Sequence, residues 1–352
     1  MSLELAWFAA LCDDDYEQLG VPDPSLASSY EHCLDIVQTA DRAGFDSILM
    51  PSGYTLGIDT VAFTAAVARQ TEHISPIVAV RMGELWPPQL ARQLATLDHL
   101  LQGRMVVNII SSEMPGEQLA STPRYTRTLE YMQALRTLLN GESLHTAGDF
   151  VHLDVDPPRL RTTSGTCPPL YFGGLSDDAR EVAAAAADVY LMWPDTLDGV
   201  AAIIADMRQR AATHGRTLRF GYRVHVVVRP TEAEARAAAE QLVAALDPEV
   251  GEAIRARSLD STSVGVRAQA ELRDASDPHG YIEPHLWTGI GRARSGCGAA
   301  IVGDPQQVAD KIRTYQSLGI DTFILSGYPH RRECERFAEL VMPLLRDTTA
   351  TS

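Results

Sequence analysis

The stretch Leu218-Arg-Phe-Gly-Tyr-Arg-Val-His-Val-Val-Val228 joins an apolar, β-branched tail to two polar side chains. The tail predicts a buried strand. Arg223 and His225 stand two residues apart, so on a strand their side chains point to the same face. Because unpaired charge is costly inside a protein, the pair predicts a polar partner and a functional site within a buried sheet. The alternative is a strand end that extends its arginine into solvent.

Similar strand patterns recur along the whole chain and alternate with helical ones. The predicted strands span residues 3–11, 45–50, 73–81, 104–110, 169–174, 188–193, 218–228 and 321–326. The predicted helices span residues 25–43, 59–70, 88–101, 123–139, 176–187, 197–214, 231–246, 304–318 and 332–345. This alternation is typical of parallel βαβ units. Eight such units in 352 residues predict an α/β fold, a closed (β/α)8 TIM barrel with insertions over the C-terminal face of the barrel.

Two segments interrupt the alternation, and we interpret residues 1–352 as one barrel domain that carries both. Residues 141–166 contain short β-like pieces and predict an excursion outside the core. Residues 248–299 are polar, lack a clear periodicity and predict a lid-like insertion, with a disordered surface loop as the alternative. An open doubly wound sheet is disfavoured, because Leu11-Cys-Asp-Asp-Asp15 is not a glycine-rich phosphate turn.

The composition excludes several classes of function. A formal net charge of −16 disfavours binding to nucleic acid or to an anionic membrane, although a local cationic pocket remains possible. The five cysteines are widely spaced and form no CxxC motif, which indicates reduced thiols rather than disulfides or a zinc site. No apolar run approaches the roughly 20 residues of a membrane span, and the N-terminus does not resemble a signal peptide. We therefore expect a cytoplasmic protein without a metal site.

In a barrel of this kind, the active site lies at the C-terminal ends of the strands. Arginine, histidine and tyrosine side chains collected there suit an anionic substrate or an anionic oxygen. The turn from Gly173 to Ser176 joins a strand to a helix and predicts a phosphate site, with an ordinary helix cap as the alternative. The polar strand-end residues are Cys12, Ser52, Arg81, Asn108, Ser111, Trp193, Arg223, His225 and Ser326–His330, and the insertion adds Arg292 and Arg294.

Longer motifs in a fixed order extend from about residue 45 to the C-terminus. They are Pro51–Gly53, Ala95–Asp98 with Gly103 and Arg104, Pro168–Gly174, Asp188–Leu191 with Trp193, Gly221–His225, Leu286–Trp287 with Gly289 and Gly291, Gly303–Gln307 and Ser326–His330. Together they resemble the bacterial luciferase-like flavin monooxygenases, and most of all the FMNH2-dependent alkanesulfonate monooxygenases. The resemblance implies reduced FMN from a separate NAD(P)H flavin reductase, O2 as co-substrate, and a peroxyflavin that desulfonates a sulfonate to an aldehyde and sulfite. It also implies a homo-oligomer.

The resemblance implies roles for individual residues as well. Arg223, His225, Arg294 and Tyr328 match the positions that line the sulfonate and peroxyflavin site, and Trp193 matches the residue beside them. Tyr125 and the run Gly174, Leu175, Ser176 match the flavin phosphate site, while Asn108 and Ser111 match flavin-side positions. A sulfonate remains ionised and an arginine remains protonated at any pH of interest, which agrees with this pairing.

The chain departs from the family pattern at several places near the site, including a shorter loop after Asn108 and no histidine before Arg124 and Tyr125. Cys12 aligns with a histidine of the sulfonate enzymes, and the segment around Leu56 lacks their cysteine. Three alternatives therefore remain: a monooxygenase with a non-sulfonate substrate, an FMN-binding relative without catalysis, and a deazaflavin-dependent hydride-transfer enzyme. His99 and His330 lie near helix ends and are expected at the surface.

Overall fold

A computed structural model describes residues 3–256, 263–294 and 296–346. The strands in these residues are β1 (Glu4–Phe8), β2 (Ser47–Met50), β3 (Ser75–Arg81), β4 (Val106–Ile110), β5 (Leu144–Ala147), β6 (His152–Val155), β7 (Leu170–Phe172), β8 (Val189–Met192), β9 (Arg219–Val228), β10 (Tyr281–Glu283), β11 (Leu286–Trp287), β12 (Ala300–Gly303) and β13 (Thr322–Ser326). The helices are α1 (Tyr30–Ala43), α2 (Thr60–Val67), α3 (Pro87–Leu100), α4 (Ser121–Asn140), α5 (Asp177–Ala186), α6 (Leu197–Thr213), α7 (Glu232–Val243), α8 (Pro248–Ala256), α9 (Val264–Asp274), α10 (Pro305–Leu318), α11 (His330–Leu340) and α12 (Met342–Arg346).

Eight parallel strands form a closed barrel in the order β1, β2, β3, β4, β7, β8, β9, β13. The ring closes at β9, which pairs with β8 along one edge and with β13 along the other. Gly221 sits at this closure, opposite both Leu191 and Thr322. The predicted (β/α)8 barrel is confirmed, with each predicted strand at its expected place, and an open sheet is excluded.

The helix boundaries follow local capping chemistry. Thr231 and Glu234 form a capping box at the start of α7, and Asp59 caps α2 by accepting from the Ala62 N–H. The prediction of one helix over residues 25–43 is wrong at its start, because Ser29 caps α1 and a separate 3-10 turn precedes it. The predicted closing helix over residues 332–345 is instead two helices, α11 and α12.

The two insertions differ in how closely the structure matches the prediction from the sequence. Residues 141–166 lie outside the barrel sheet and contain the antiparallel hairpin β5–β6, as expected. The disordered-loop alternative for residues 248–299 is wrong where they are described, because α8, α9, β10 and β11 form there, while residues 257–262 and 295 lie outside the described residues. The sequence reading also missed β12, which runs parallel to the outer half of β9. Strands this short and buried show no alternating pattern.

The two ends of the barrel interior carry different side chains. Its N-terminal end is closed by the Glu4 carboxylate, which accepts hydrogen bonds from Ser47, Tyr171 and Thr322. Above it, a layer of inward-facing side chains forms a small core, made of Ala6, Phe8, Leu49, Ile77, Tyr171, Val189 and Ile324. The polar side chains beyond this layer therefore lie at the C-terminal end. No helix in the described part of the chain is long and apolar enough to cross a membrane.

Candidate active site

Arg223 and His225 project into the barrel and meet at one hydroxyl group. The Arg223 Nη2 donates to Ser326 Oγ at 2.8 Å, and the same oxygen lies 2.7 Å from His225 Nδ1. The register of the two strands explains this contact, because Ser326 on β13 is paired with His225 on β9. The predicted common face and the predicted polar partner are both confirmed, and the solvent-facing alternative is wrong, since Arg223 is buried at 4% exposure.

Arg223 is a buried cation without a carboxylate partner in the described part of the chain. Its Nη1 donates to the carbonyl oxygens of Val224 and Ile324, and its guanidinium lies 4.3 Å from the centre of the Phe8 ring. Burial lowers the pKa of Arg223 from its ordinary value, which shows how strongly the site disfavours this charge. A site that keeps a buried cation under these conditions is suited to an anionic ligand.

His225 is neutral and has one unpaired ring nitrogen. Burial and the neighbouring Arg223 hold the pKa of His225 well below its ordinary value. Its Nδ1 lies within hydrogen-bond distance of Ser326 Oγ, the atom that accepts from Arg223. The other ring nitrogen, Nε2, is buried without a hydrogen-bond partner among the described residues. His225 thus presents an unpaired nitrogen to the site.

Tyr328 adds a second unpaired polar atom. Its ring stacks on His225 with centroids 5.2 Å apart, and its hydroxyl is buried without a partner in the described residues. Burial raises the pKa of Tyr328, so the hydroxyl keeps its proton. Buried polar atoms are nearly always paired in proteins. The adjacent unpaired His225 Nε2 and Tyr328 hydroxyl therefore indicate a ligand site.

Arg294 comes from the insertion and reaches the same region. Its Nη1 donates to Asp14 Oδ2 at 2.7 Å, while Asp14 Oδ1 is buried without a partner in the described part of the chain. Burial alone would lower the pKa of Arg294, but Tyr328 and Asp14 raise it. The guanidinium therefore stays protonated. The structure therefore brings Arg294 together with Arg223, His225 and Tyr328, as the sequence predicted.

A cavity of about 250 Å³ extends from Arg294 into the insertion. Its lining includes Arg255 and Arg273 besides Arg294, with Glu252 as the acidic residue among them. Arg255 and Arg273 donate to the carbonyl oxygens of Arg292 and Gly291. The excess of positive charge in a protein of net charge −16 gives this face a local attraction for anions.

Trp193 lies under the insertion at the end of β8. A Cβ atom placed on Gly265 would be 2.9 Å from Trp193 Cζ3, and one placed on Gly296 would be 3.1 Å from Trp193 Cζ2. The two glycines therefore let the insertion pack directly on the indole. The structure places Trp193 where the barrel and the insertion meet.

The turn after β7 forms a cradle that fits a phosphate group. Gly174 has φ 153°, and a Cβ atom there would lie 2.6 Å from Ala179 Cβ and 3.6 Å from the Tyr125 hydroxyl. Ser176 caps α5 by accepting from the Ala179 N–H, and Leu175 packs against the core. The helix N-terminus attracts anions. A guanidinium also lies nearby, because Arg124 covers the Tyr125 ring at 5.3 Å and its Nε is buried and unpaired.

The two predicted flavin-side residues lie on and after β4. Asn108 is half-buried and faces the barrel interior, because its neighbours Val107 and Ile109 face the outer core. Ser111 is buried, and its hydroxyl lies 2.6 Å from Thr128 Oγ1. The next residue, Ser112, has a buried hydroxyl without a partner in the described part of the chain.

Cys12 lies where the loops after β1 and β2 approach each other. A Cβ atom on Gly53 would be 3.2 Å from the Cys12 Sγ. Burial and the nearby Asp14 raise the pKa of Cys12 to about 12, so this thiol is neutral. The loop after β2, which lacks the cysteine of the sulfonate enzymes, is therefore in contact with the Cys12 thiol from the loop after β1.

Sequence reasoning missed three residues of this site. His330 was expected at the surface but is fully buried, whereas His99 is exposed as expected. Asp14 and Asp15 were not among the predicted site residues, yet both carboxylates are directed inward. The available signal was their position, since three consecutive aspartates directly after a strand lie at the active-site end of a barrel. Among the described residues, no group of three or more histidine, cysteine or acidic side chains has an arrangement that could hold a metal ion.

Comparisons with known proteins agree with this architecture. Residues 7–322 match the family model of luciferase-like monooxygenases. A sulfoquinovose monooxygenase from Novosphingobium aromaticivorans is 63% identical over 347 residues, which cover 97% of this chain and 96% of the relative. A protein of the same name from Agrobacterium fabrum is 50% identical, covering 97% of this chain and 90% of the relative. The crystal structure of a riboflavin lyase with modified FMN and riboflavin superposes with a TM-score of 0.83 at 18% identity, covering 100% of this chain and 93% of the lyase.

Proposed function

The chain belongs to the luciferase-like monooxygenase family, and we propose that it is a two-component, FMNH2- and O2-dependent monooxygenase that desulfonates an organosulfonate. The products are an aldehyde and sulfite, and a separate NAD(P)H flavin reductase supplies the FMNH2. The observation that carries the proposal is Arg223, a buried cation with no carboxylate bonded to it in the described residues, beside two unpaired polar atoms. This arrangement suits a sulfonate, which is anionic at every relevant pH.

We propose sulfoquinovose as the substrate, a sugar that carries its sulfonate on carbon 6. The two sulfoquinovose monooxygenases, at 63% and 50% identity over nearly the whole chain, support this choice. The atoms balance for one turnover: the sulfonate, O2 and FMNH2 become the 6-aldehyde, hydrogen sulfite, FMN and water. An alternative in which the substrate is not a sulfonate would still use the same cationic pocket.

Bound reduced FMN would supply the two electrons that activate O2, and the residues of this chain supply binding and proton control. The cradle of Gly174, Ser176 and Tyr125 would hold the FMN phosphate. Arg223 and Arg294 would hold the sulfonate from the barrel side and the insertion side. His225 Nε2–H and the Tyr328 hydroxyl would donate hydrogen bonds to oxygen atoms that become more negative during the reaction.

The insertion would exclude water from this chemistry. It already packs on Trp193 through Gly265 and Gly296, and it supplies Arg294. A closed site strengthens the electrostatic interactions inside it and prevents wasteful reaction with solvent. The cavity lined by Arg255 and Arg273 would attract the anionic substrate before it reaches Arg294.

Sulfite release tests the function directly. The enzyme is supplied with FMN, NADH, a flavin reductase, O2 and catalase, and free sulfite is measured with sulfoquinovose and with hexanesulfonate. We expect rapid release from sulfoquinovose, and a loss of about 100-fold or more in His225→Ala, because a positioned proton donor contributes about 10²–10⁴-fold. Reduced FMN binding without sulfite from any sulfonate would contradict the proposed substrate class. Lack of oxygenation of any substrate would favour an FMN-binding relative without catalysis.

The phosphate cradle gives a separate prediction about FMN affinity. Gly174→Ala places a Cβ atom 2.6 Å from Ala179 Cβ, so the turn must shift away from the bound phosphate. Overpacking costs about 1–3 kcal/mol, which predicts a Kd for FMN about tenfold or more higher in a fluorescence titration. Gly165→Ala is the matched control, since Gly165 also has a positive φ, 73°, but a Cβ atom there meets nothing within 4 Å. Equal weakening in both variants would contradict the assignment.

A further inference from the structure

The carboxylate of Asp15 bridges two histidines on different elements. Its Oδ1 accepts from the backbone N–H of His330 and lies 2.9 Å from His330 Nδ1. Its Oδ2 lies 2.9 Å from His32 Nε2 on α1. The side chains of Asp15 and His330 are fully buried, while that of His32 is 14% exposed. The three side chains thus form a chain of hydrogen bonds from the interior towards the surface.

The inner end of this chain borders the candidate active site. The His330 ring lies edge-on to Tyr328 with centroids 5.1 Å apart, and it also contacts Phe8, the ring under Arg223. Because a carboxylate only accepts, His330 Nδ1 carries the proton that is shared with Asp15. The other nitrogen, Nε2, is buried and has no partner among the described residues. In the neutral ring this atom has a free lone pair and can accept a proton.

We infer that His330 is a proton acceptor of the active site, and that Asp15 is a positioning residue which holds it in this tautomer. His32 holds the other oxygen of the Asp15 carboxylate. The inference rests on the proposed function for the identity of the proton donor.

The desulfonation requires such an acceptor. Once an oxygen atom has been added to the carbon that bears the sulfonate, that carbon carries a hydroxyl and a sulfonate. The hydroxyl proton passes to His330 Nε2, the O–H electron pair forms the second bond of the carbonyl, and the C–S pair leaves with sulfite. Asp15 stabilises the resulting imidazolium, as a buried carboxylate does in other Asp–His pairs. The proton leaves to solvent before the next turnover.

The Asp15 carboxylate is held by a histidine at each oxygen, His330 at Oδ1 and His32 at Oδ2. Burial opposes it, yet His330 and His32 together lower the pKa of Asp15, so the carboxylate is ionised. An ionised carboxylate can only accept, which fixes the proton of His330 on Nδ1.

The 15N NMR signals of the histidine ring nitrogens test the inference without any turnover. In protein labelled with 15N-histidine, the His330 signals are those that His330→Gln removes. We expect the Nδ1–H tautomer in the neutral form. Asp15→Asn replaces the carboxylate by an amide that can also donate, so we expect the share of the Nδ1–H tautomer at His330 to fall. His32→Gln keeps a donor to Asp15, so the His330 tautomer should stay unchanged.

Sulfite release should follow the tautomer. We expect kcat to fall in Asp15→Asn and in His330→Gln, while the control Asp35→Asn, an exposed α1 carboxylate, leaves kcat unchanged. A general loss of stability would not change which ring nitrogen of His330 carries the proton. An unchanged His330 tautomer in Asp15→Asn, an Nε2–H tautomer in the wild-type protein, or full activity in His330→Gln would overturn the inference. If the wild-type protein releases no sulfite, the proposed function fails, and the NMR tautomer still decides the role of Asp15.

Discussion

Arg223→Met is expected to lower kcat/KM for sulfite release by about 100-fold or more while leaving the melting temperature unchanged or higher. Removing one partner of a desolvated charge pair costs about 2–5 kcal/mol of binding, and about 1.4 kcal/mol corresponds to tenfold. The folded protein without substrate gains from the same change, because methionine removes a buried cation that is held only by two carbonyl oxygens, one hydroxyl and the face of Phe8. Steady-state kinetics and thermal unfolding measure the two effects.

Arg104→Met is the matched control. Arg104 also donates to carbonyl oxygens, those of Ile74 and Thr71, but it precedes β4 at the opposite end of the barrel. We expect this variant to lose stability and to keep kcat/KM within about twofold, the reverse of the result at Arg223. A large loss of melting temperature in Arg223→Met, or equal kinetic losses in both variants, would show that Arg223 serves the fold rather than an anion.

The contrast between the two ends of the barrel explains why these arginines should differ. At the N-terminal end, Glu4 gathers Ser47, Tyr171 and Thr322 into a network that closes the barrel. At the C-terminal end, polar atoms of His225, Tyr328 and His330 are buried and unpaired among the described residues. Buried polar groups left without partners destabilise a protein. Three such atoms on neighbouring side chains are consistent with a site that is completed by its ligands.

Local sequence patterns were sufficient to predict the barrel and the strand that carries Arg223 and His225. Strand periodicity places Arg223 and His225 on one face regardless of what surrounds them. Caps such as Thr231 and Asp59 mark helix starts through bonds to residues three positions away. Both kinds of signal depend on neighbours in sequence, so they can be read without knowing the fold.

The rest of the site depends on contacts between residues far apart in the chain. Asp15 and His330 are separated by 315 positions, and Asp14 and Arg294 by 280. No local pattern distinguishes an aspartate that points into the barrel from one that points into solvent. The sequence therefore did not indicate that Asp14 and Asp15 belong to the site. His330 was misplaced for a related reason: a helix start is usually exposed, but here it is the point where α11 enters the site.

Tyr328→Phe is expected to lower kcat by about 10- to 100-fold while the free energy of unfolding stays the same or rises. The Tyr328 hydroxyl is buried and unpaired in the described residues, and a buried polar group in that state costs about 1–3 kcal/mol. Removing it therefore does not harm the ligand-free fold. In the working enzyme the same hydroxyl would donate to a charged oxygen, a bond worth about 1.5–3 kcal/mol, which sets the kinetic loss. Denaturant unfolding and sulfite release measure the two quantities.

Tyr281→Phe is the control that separates the effect of an unpaired hydroxyl on stability from its effect on turnover. Tyr281 also has a buried hydroxyl without a partner in the described part of the chain, but it lies in the packing between the insertion and α7, with Arg236 4.3 Å from the ring centroid. Both variants remove the same atom from a similar environment, so both should change the free energy of unfolding by a similar amount. Only Tyr328→Phe should slow turnover, because only Tyr328 stacks on His225 and faces His330. Equal kinetic effects at the two positions would mean that the unpaired atom at Tyr328 has no special relation to the reaction.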